Sequence, residues 1–171
     1  MRLASTLAAA LAALPLTALA EQIGSITAAI DGGAETTWYL EAQGDESQSL
    51  AMQSGGIPAV NLALWGNPTA GKLAEVNGAL LIGFIAQTGG GAALAPEIQY
   101  LENSYSGFWI ALDEPAAKIS LEELTMGDGS VAVRGSFEAN LAFTDDPATL
   151  ATDPDRRKAV AGHFEAVLPL Q

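Results

Sequence analysis

The chain contains no cysteine. That excludes disulfides, zinc–thiolate centres, cysteine nucleophiles and a lipid anchor built on a cysteine, and it leaves stability to a packed core. Basic residues are scarce: seven Lys and Arg stand against twenty Asp and Glu, a net charge of −13. A field of that sign repels phosphate backbones and anionic lipid, so it argues against nucleic-acid binding and against docking on an anionic bilayer. Histidine occurs once, at position 163, so a multi-histidine metal centre is excluded. The glycine-rich phosphate loop, the dinucleotide fingerprint and the Gly-x-Ser-x-Gly nucleophile elbow are all missing. No motif implies a cofactor or a metal.

What is present begins with the first twenty residues. Met1-Arg2 carries one positive charge, and Leu3 to Ala20 is uncharged and rich in alanine. Pro15 would end an apolar helix, and Ala18-Leu19-Ala20 places small residues where a signal peptidase reads them. This is the three-part pattern of a cleaved export signal over residues 1–20, followed by one domain over 21–171 in the periplasm or outside the cell. An uncleaved anchor is the alternative, because roughly 18 apolar residues just span a bilayer. The alanine content, Pro15 and the Ala-Leu-Ala ending favour cleavage, with no membrane insertion afterwards. Loss of Arg2 takes the charge close to −14.

Beyond residue 20 the hydrophobic period is 2. Val131, Val133, Gly135, Phe137, Ala139, Leu141 and Phe143 share one parity, and Arg134, Ser136, Glu138 and Asn140 take the other. Such alternation describes a strand with one face on a core and one in water. Val160 to Leu168 repeats it. Gly-x-Phe-Glu-Ala-x-Leu occurs at Gly135–Leu141 and again at Gly162–Leu168, which suggests two strands solving one packing problem, each glycine facing a close backbone or ring. Shorter strands are expected over Ile23–Ile30, Thr36–Glu41, Ala59–Trp65, Ala79–Ala86, Ile98–Leu101, Phe108–Leu112 and Lys118–Met126. Asp31-Gly32-Gly33 and Gly127-Asp128-Gly129 are turn signals. Gln43–Ser49 and Pro147–Lys158 read as polar loops. Ala79–Ala86 is apolar on both faces, as in a central strand, and leads into Gly89-Gly90-Gly91. Eight to ten strands at this spacing imply an all-β, antiparallel β-sandwich, with a closed calycin-like barrel as the alternative.

Candidate chemistry is sparse. His163 sits on the solvent parity beside Glu165, and pairing of the two repeated strands would bring Ser136 to the same face, the parts of a hydrolytic triad. An open sheet face does not exclude water, so a surface histidine is the simpler account. The acidic pairs Asp45-Glu46, Asp113-Glu114, Glu122-Glu123 and Asp145-Asp146, and Asp153 with Asp155, fall mostly in turns, and none has the separation a glycosidase requires. The loop from Asp145 to Asp155 offers oxygen ligands for calcium, but Arg156, Arg157 and Lys158 follow directly and no EF-hand spacing exists. By parity Trp65, Trp109 and Tyr39 point outward, as does Tyr105. With Arg134 and His163, the first three form the candidate binding surface, although packing between sheets would bury such rings equally well.

The early Ile26-Thr-Ala-Ala-Ile-Asp-Gly32 stretch, Thr37-Trp38-Tyr39 and the paired Gly-x-Phe-Glu-Ala strands resemble uncharacterised exported β-sandwich proteins of Gram-negative bacteria. That resemblance implies a fold and carries no activity. Three functions remain open: a non-catalytic binding or interaction module for an unknown protein or small molecule, with self-association allowed; a calycin-like barrel holding a small apolar ligand; and a hydrolase using His163.

Overall fold

A computed structural model describes residues 20–53, 58–88, 92–112 and 115–171. Residues 1–19, within the segment expected to be an export signal, Gly89-Gly90-Gly91 and the pair Asp113-Glu114 lie outside the described residues. No helix occurs among the described residues. The strands are β1 (Glu21–Ile30), β2 (Thr36–Gln43), β3 (Glu46–Ser47), β4 (Leu50–Gln53), β5 (Ala59–Gly66), β6 (Ala79–Gln87), β7 (Leu94–Tyr105), β8 (Phe108–Leu112), β9 (Ala117–Met126), β10 (Ser130–Thr144) and β11 (Asp153–Pro169).

Every paired ladder is antiparallel, and the spatial order is β3-β2-β1-β11-β10-β8-β7-β6-β5-β4, with β9 on β10. The path has two ends, so the sheet is not a closed barrel, which corrects the barrel alternative. Strand β10 is the hinge between two arms. Its first part pairs with β9, and Ala142–Thr144 pair with β8. A register shift at Ala142/Phe143 lets the strand turn from one arm to the other. Two isolated bridges, Tyr39 with Asn67 and Ala51 with Leu170, draw the ends of the arms together.

The turns follow local chemistry. Asp31 and Gly32 both have positive φ (51° and 67°), and the Gly33 N–H donates to the Ile30 carbonyl at 2.9 Å. This is the I′ geometry that Asp-Gly favours because its twist matches the flanking strands. Elsewhere the strands exceed the lengths expected from the pattern. Strand β11 starts at Asp153, inside the expected polar loop, and β3 and β4 occupy the region around the expected loop 43–49.

Inward side chains from both arms form one core. Ile26, Leu40, Leu80, Ile98, Leu141 and Phe164 have no solvent exposure. Phe164 lies at its centre, with ring centroids 5.8 Å from Phe84 and 6.5 Å from Phe137. The repeated sequence has a reciprocal geometry: Gly135 is opposite Phe164, and Gly162 is opposite Phe137. Gly135 vacates space for the Phe164 ring, and Gly162 vacates space for the backbone of β1. A Cβ on Gly135 would approach Phe164 Cζ at 2.9 Å, and one on Gly162 would approach the Thr27 carbonyl oxygen at 2.1 Å. The sheet bends inward here so tightly that only glycine fits.

Candidate functional site

Directly opposed residues of an antiparallel pair share a face, so the registers sort the candidate residues. On the outer face of the β2-β1-β11-β10-β9 arm, one row runs Thr37, Thr27, His163, Ser136, Ser120. The next row runs Tyr39, Ser25, Glu165, Arg134, Glu123. Three of the five candidate residues, Tyr39, Arg134 and His163, thus come together on one face.

That face does not assemble a catalytic centre. Ser136 is directly opposite His163, but no hydrogen bond joins them among the described residues, and His163 is exposed. Arg134 is committed to Glu122 (3.3 Å) and Glu123 (3.5 Å). Lys118 and Glu138 form another exposed pair at 3.6 Å. Such pairs are screened by water and contribute little. Two depressions, about 630 Å³ beside Ala29 and Ala161 and about 800 Å³ between Gln22, Ala42 and Leu170, are open grooves.

Trp109 is not on the surface. It is 7% exposed and belongs to the core, which corrects the outward parity assigned to it. Its ring belongs to a cluster at one end of the interior, 5.4 Å from Phe143. Its indole N–H donates to Glu102 Oε2 at 2.9 Å, and Lys158 Nζ donates to Glu102 Oε1 at 2.9 Å. Lys158 lies 4.7 Å from the Trp109 ring, and the Arg156 guanidinium stacks 3.2 Å from the centre of Phe143. The Lys158 hydrogen bond, helped by that of Trp109, holds the Glu102 carboxyl below its ordinary value against the opposing effect of burial. Burial, with the Glu102 charge, pushes the neighbouring Tyr100 phenol up. The largely covered Lys158 also blunts the part of β11 that extends past β1.

The loop proposed for calcium uses its acids internally. Asp146 Oδ1 accepts the N–H groups of Ala148 and Thr149, and Oδ2 accepts the Thr149 hydroxyl. These bonds hold the carboxyl below its ordinary value. Among the described residues, no cluster of three or more His, Cys, Asp or Glu is arranged to hold a metal.

Trp65 is half-buried on the outer face of the β4–β8 arm. It packs with Val76, Leu81 and Leu150 over Ala79, Leu101, Phe108 and Ile110, a second, smaller core. The 67–78 segment forms part of its cover and is anchored by Asn67, which is fully buried. Asn67 exchanges backbone hydrogen bonds with Tyr39 at 2.8 Å each, and its side chain accepts the Glu75 N–H at 2.7 Å. Glu41, 2% exposed, accepts the Gly71 N–H at 2.8 Å. This buried polar seam between the arms had no sequence signal beyond an isolated Asn-Pro.

The cover stops halfway along the arm. Past Trp65 one outer row runs Leu50, Ala63, Gly83, Glu97, Leu112, and the next runs Met52, Asn61, Ile85, Leu94. Met52, Leu94 and Leu112 are 47%, 46% and 42% exposed. This apolar patch was missed in the sequence, although β6 carried its signal. Apolar residues on both faces of β6 imply burial of both, yet Leu81, Gly83 and Ile85 are only partly covered. Comparison with known protein families, curated proteins and solved structures found no match to this chain.

Proposed function

We propose that the protein is an exported, non-catalytic interaction module with a β-sandwich fold, acting through an outer sheet face. The observation that carries this reading is where apolar surface is left over. The interior is filled by side chains around Phe84, Phe137 and Phe164, while the outer face of β4–β8 keeps large apolar side chains in water. A carrier of small apolar ligands needs the reverse arrangement, a hollow interior. A hydrolase needs its nucleophile, base and orienting group in hydrogen-bond reach and shielded from water, whereas the Ser136–His163 face is flat and wet. Residues 1–20 supply the export signal.

The test begins with fractionation and N-terminal sequencing of the exported protein, which should start at Glu21. Native mass spectrometry of that protein should then give polypeptide masses with no added small molecule. A stoichiometric apolar ligand that survives purification, or a hydrolytic activity abolished by His163→Ala, would overturn the reading.

A further inference from the structure

The Ala20–Glu21 bond, the cleavage point expected from residues 1–20, is flush with the folded body. Ala20 is half-buried, and Glu21 is already the first residue of β1, paired with Ala42 of β2. Gln22 pairs with Glu41. Past the irregularity at Ile23 the strand is held on both edges, by β2 and by β11, from Gly24 to Ala28. Ile26 and Ala28 are buried in the core, and at Gly24 the neighbouring strand is so close that an added Cβ would clash with Glu165 and Ala166. No spacer separates the bond from the sheet. The strand that completes this arrangement is the last in the chain: Ile26 of β1 lies opposite Phe164 of β11, and the sheet order runs β2-β1-β11-β10. Until β11 arrives, β1 has only β2 beside it, and a two-stranded hairpin is marginal in water. Phe164 also supplies the centre of the core, and pairing between segments this distant in the chain is slow.

We infer that this topology orders two events: the Ala20–Glu21 bond is open to a signal peptidase while β11 is absent from the sheet, and docking of β11 on β1 closes it. The inference rests on the reading of residues 1–20 as an export signal. Hydrolysis adds one water across the amide, leaving the Ala20 carboxylate on the leader and the Glu21 amine at the start of the mature chain. A peptidase takes the chain around the bond as an extended segment, so it competes with β2 for the backbone of Glu21 and Gln22. In the complete fold that competition requires β1 to peel from Glu21 through Ile23, and Gly24 beyond is locked between two strands. The apolar residues before the bond hold it at the bilayer surface, so a finished domain would meet membrane and peptidase with no slack. A chain threaded outward from its N-terminal end presents β11 last. The bond therefore stays open throughout transfer and shuts when the final strand folds in. A precursor that folds with its leader attached remains tethered.

The full-length precursor, refolded in detergent micelles with its leader attached and treated with a purified signal peptidase, tests this. Mass spectrometry follows the product. Two variants keep the same residues on both sides of the bond. One carries a flexible Gly/Ser insert of about ten residues between Gln22 and Ile23, which supplies roughly 17 Å of slack. Matching far-UV circular dichroism of wild type and this variant shows that both are folded. The other, Phe164→Asp, places a charge at the centre of the core and unfolds the chain. Cleavage of a protected bond tracks the population of its opened state, so folded wild type should be cut at least about tenfold more slowly than either variant. Equal rates for folded wild type and the folded insert variant would overturn the inference and leave the export reading intact. If none of the three is cut between Ala20 and Glu21, the export signal itself is refuted, and the inference falls with it.

Discussion

The close approach of β1 to Gly162 makes a prediction that separates this bent sheet from an ordinary one. In most strand positions, replacing glycine by alanine is favourable, by about 0.4–1 kcal/mol, because it restricts the unfolded chain. At Gly162 the added Cβ would sit 2.1 Å from the Thr27 carbonyl oxygen and 2.6 Å from Ala28 Cβ. Both belong to the neighbouring strand and neither is the tip of a flexible side chain. Relief requires β1 and β11 to separate at their Thr27–His163 and Ala28–Gly162 pairs. Overpacking of this kind costs about 1–3 kcal/mol, and more when the backbone must move, so Gly162→Ala should cost about 3 kcal/mol. Gly83 is the internal control. Its nearest neighbours to an added Cβ are at 3.9 and 4.0 Å, ordinary contact distances, so Gly83→Ala should be neutral or gain up to about 1 kcal/mol. Urea unfolding followed by tryptophan fluorescence reads both changes. In a domain of this size the Gly162→Ala loss corresponds to a fall in Tm of roughly 6–12 °C. A Gly162→Ala protein within about 0.5 kcal/mol of wild type would refute the inward bend and the role given to the repeated glycine.

Three other outcomes are expected. Asn67→Ala removes the acceptor of the Glu75 N–H and a side-chain donor to the Tyr39 carbonyl at a site with no solvent exposure. It should cost about 2–3 kcal/mol and make Trp65 more accessible to acrylamide quenching. Glu102 has a carboxyl pKa held below its unfolded value by Lys158. The stability it contributes is therefore complete above the ordinary glutamate range and is lost as pH falls from that range through the depressed folded value. Because its side chain is 38% exposed, the effect is reduced by solvent screening. Glu102→Gln should flatten the acid limb of a stability–pH curve and leave the neutral limb parallel to wild type. His163→Ala should alter unfolding stability by less than about 0.5 kcal/mol, as for an exposed surface side chain, which thermal unfolding would check.

Much of the architecture is written in local pattern. Alternation at Val131–Leu141 and Val160–Leu168 identified the two long strands and their core faces, because a side-chain period of 2 is a property of the extended backbone itself. The Asp31-Gly32 turn was equally legible, since positive φ at consecutive positions selects those residues. Parity misled at Trp109. Leu141 and Phe143 keep to the main core, and Ala142 is buried as well because it lies opposite Ile110, on the face covered by the second core. Trp109 lies opposite Phe143 in the strand that pairs with this end of β10, and its inward position depends on which arm β8 joins. The start of β11 was hidden because Asp153–Lys158 is polar on both parities. Its place in the sheet comes from pairing with β10, not from its own side chains.

The amino-acid order alone determined that the chain forms antiparallel strands, that it has no thiol chemistry, and that its surface is strongly acidic. These are properties of composition and of short-range periodicity, which need no partner to be expressed. The tertiary structure decided which apolar positions find cover. The same outer-face pattern on β6 is sealed at Ala79 and left half-open at Ile85, because Val76 and Leu150 reach one end of the arm and no described segment reaches the other. Burial is a relation between segments distant in the chain, and sequence periodicity records only the demand for it.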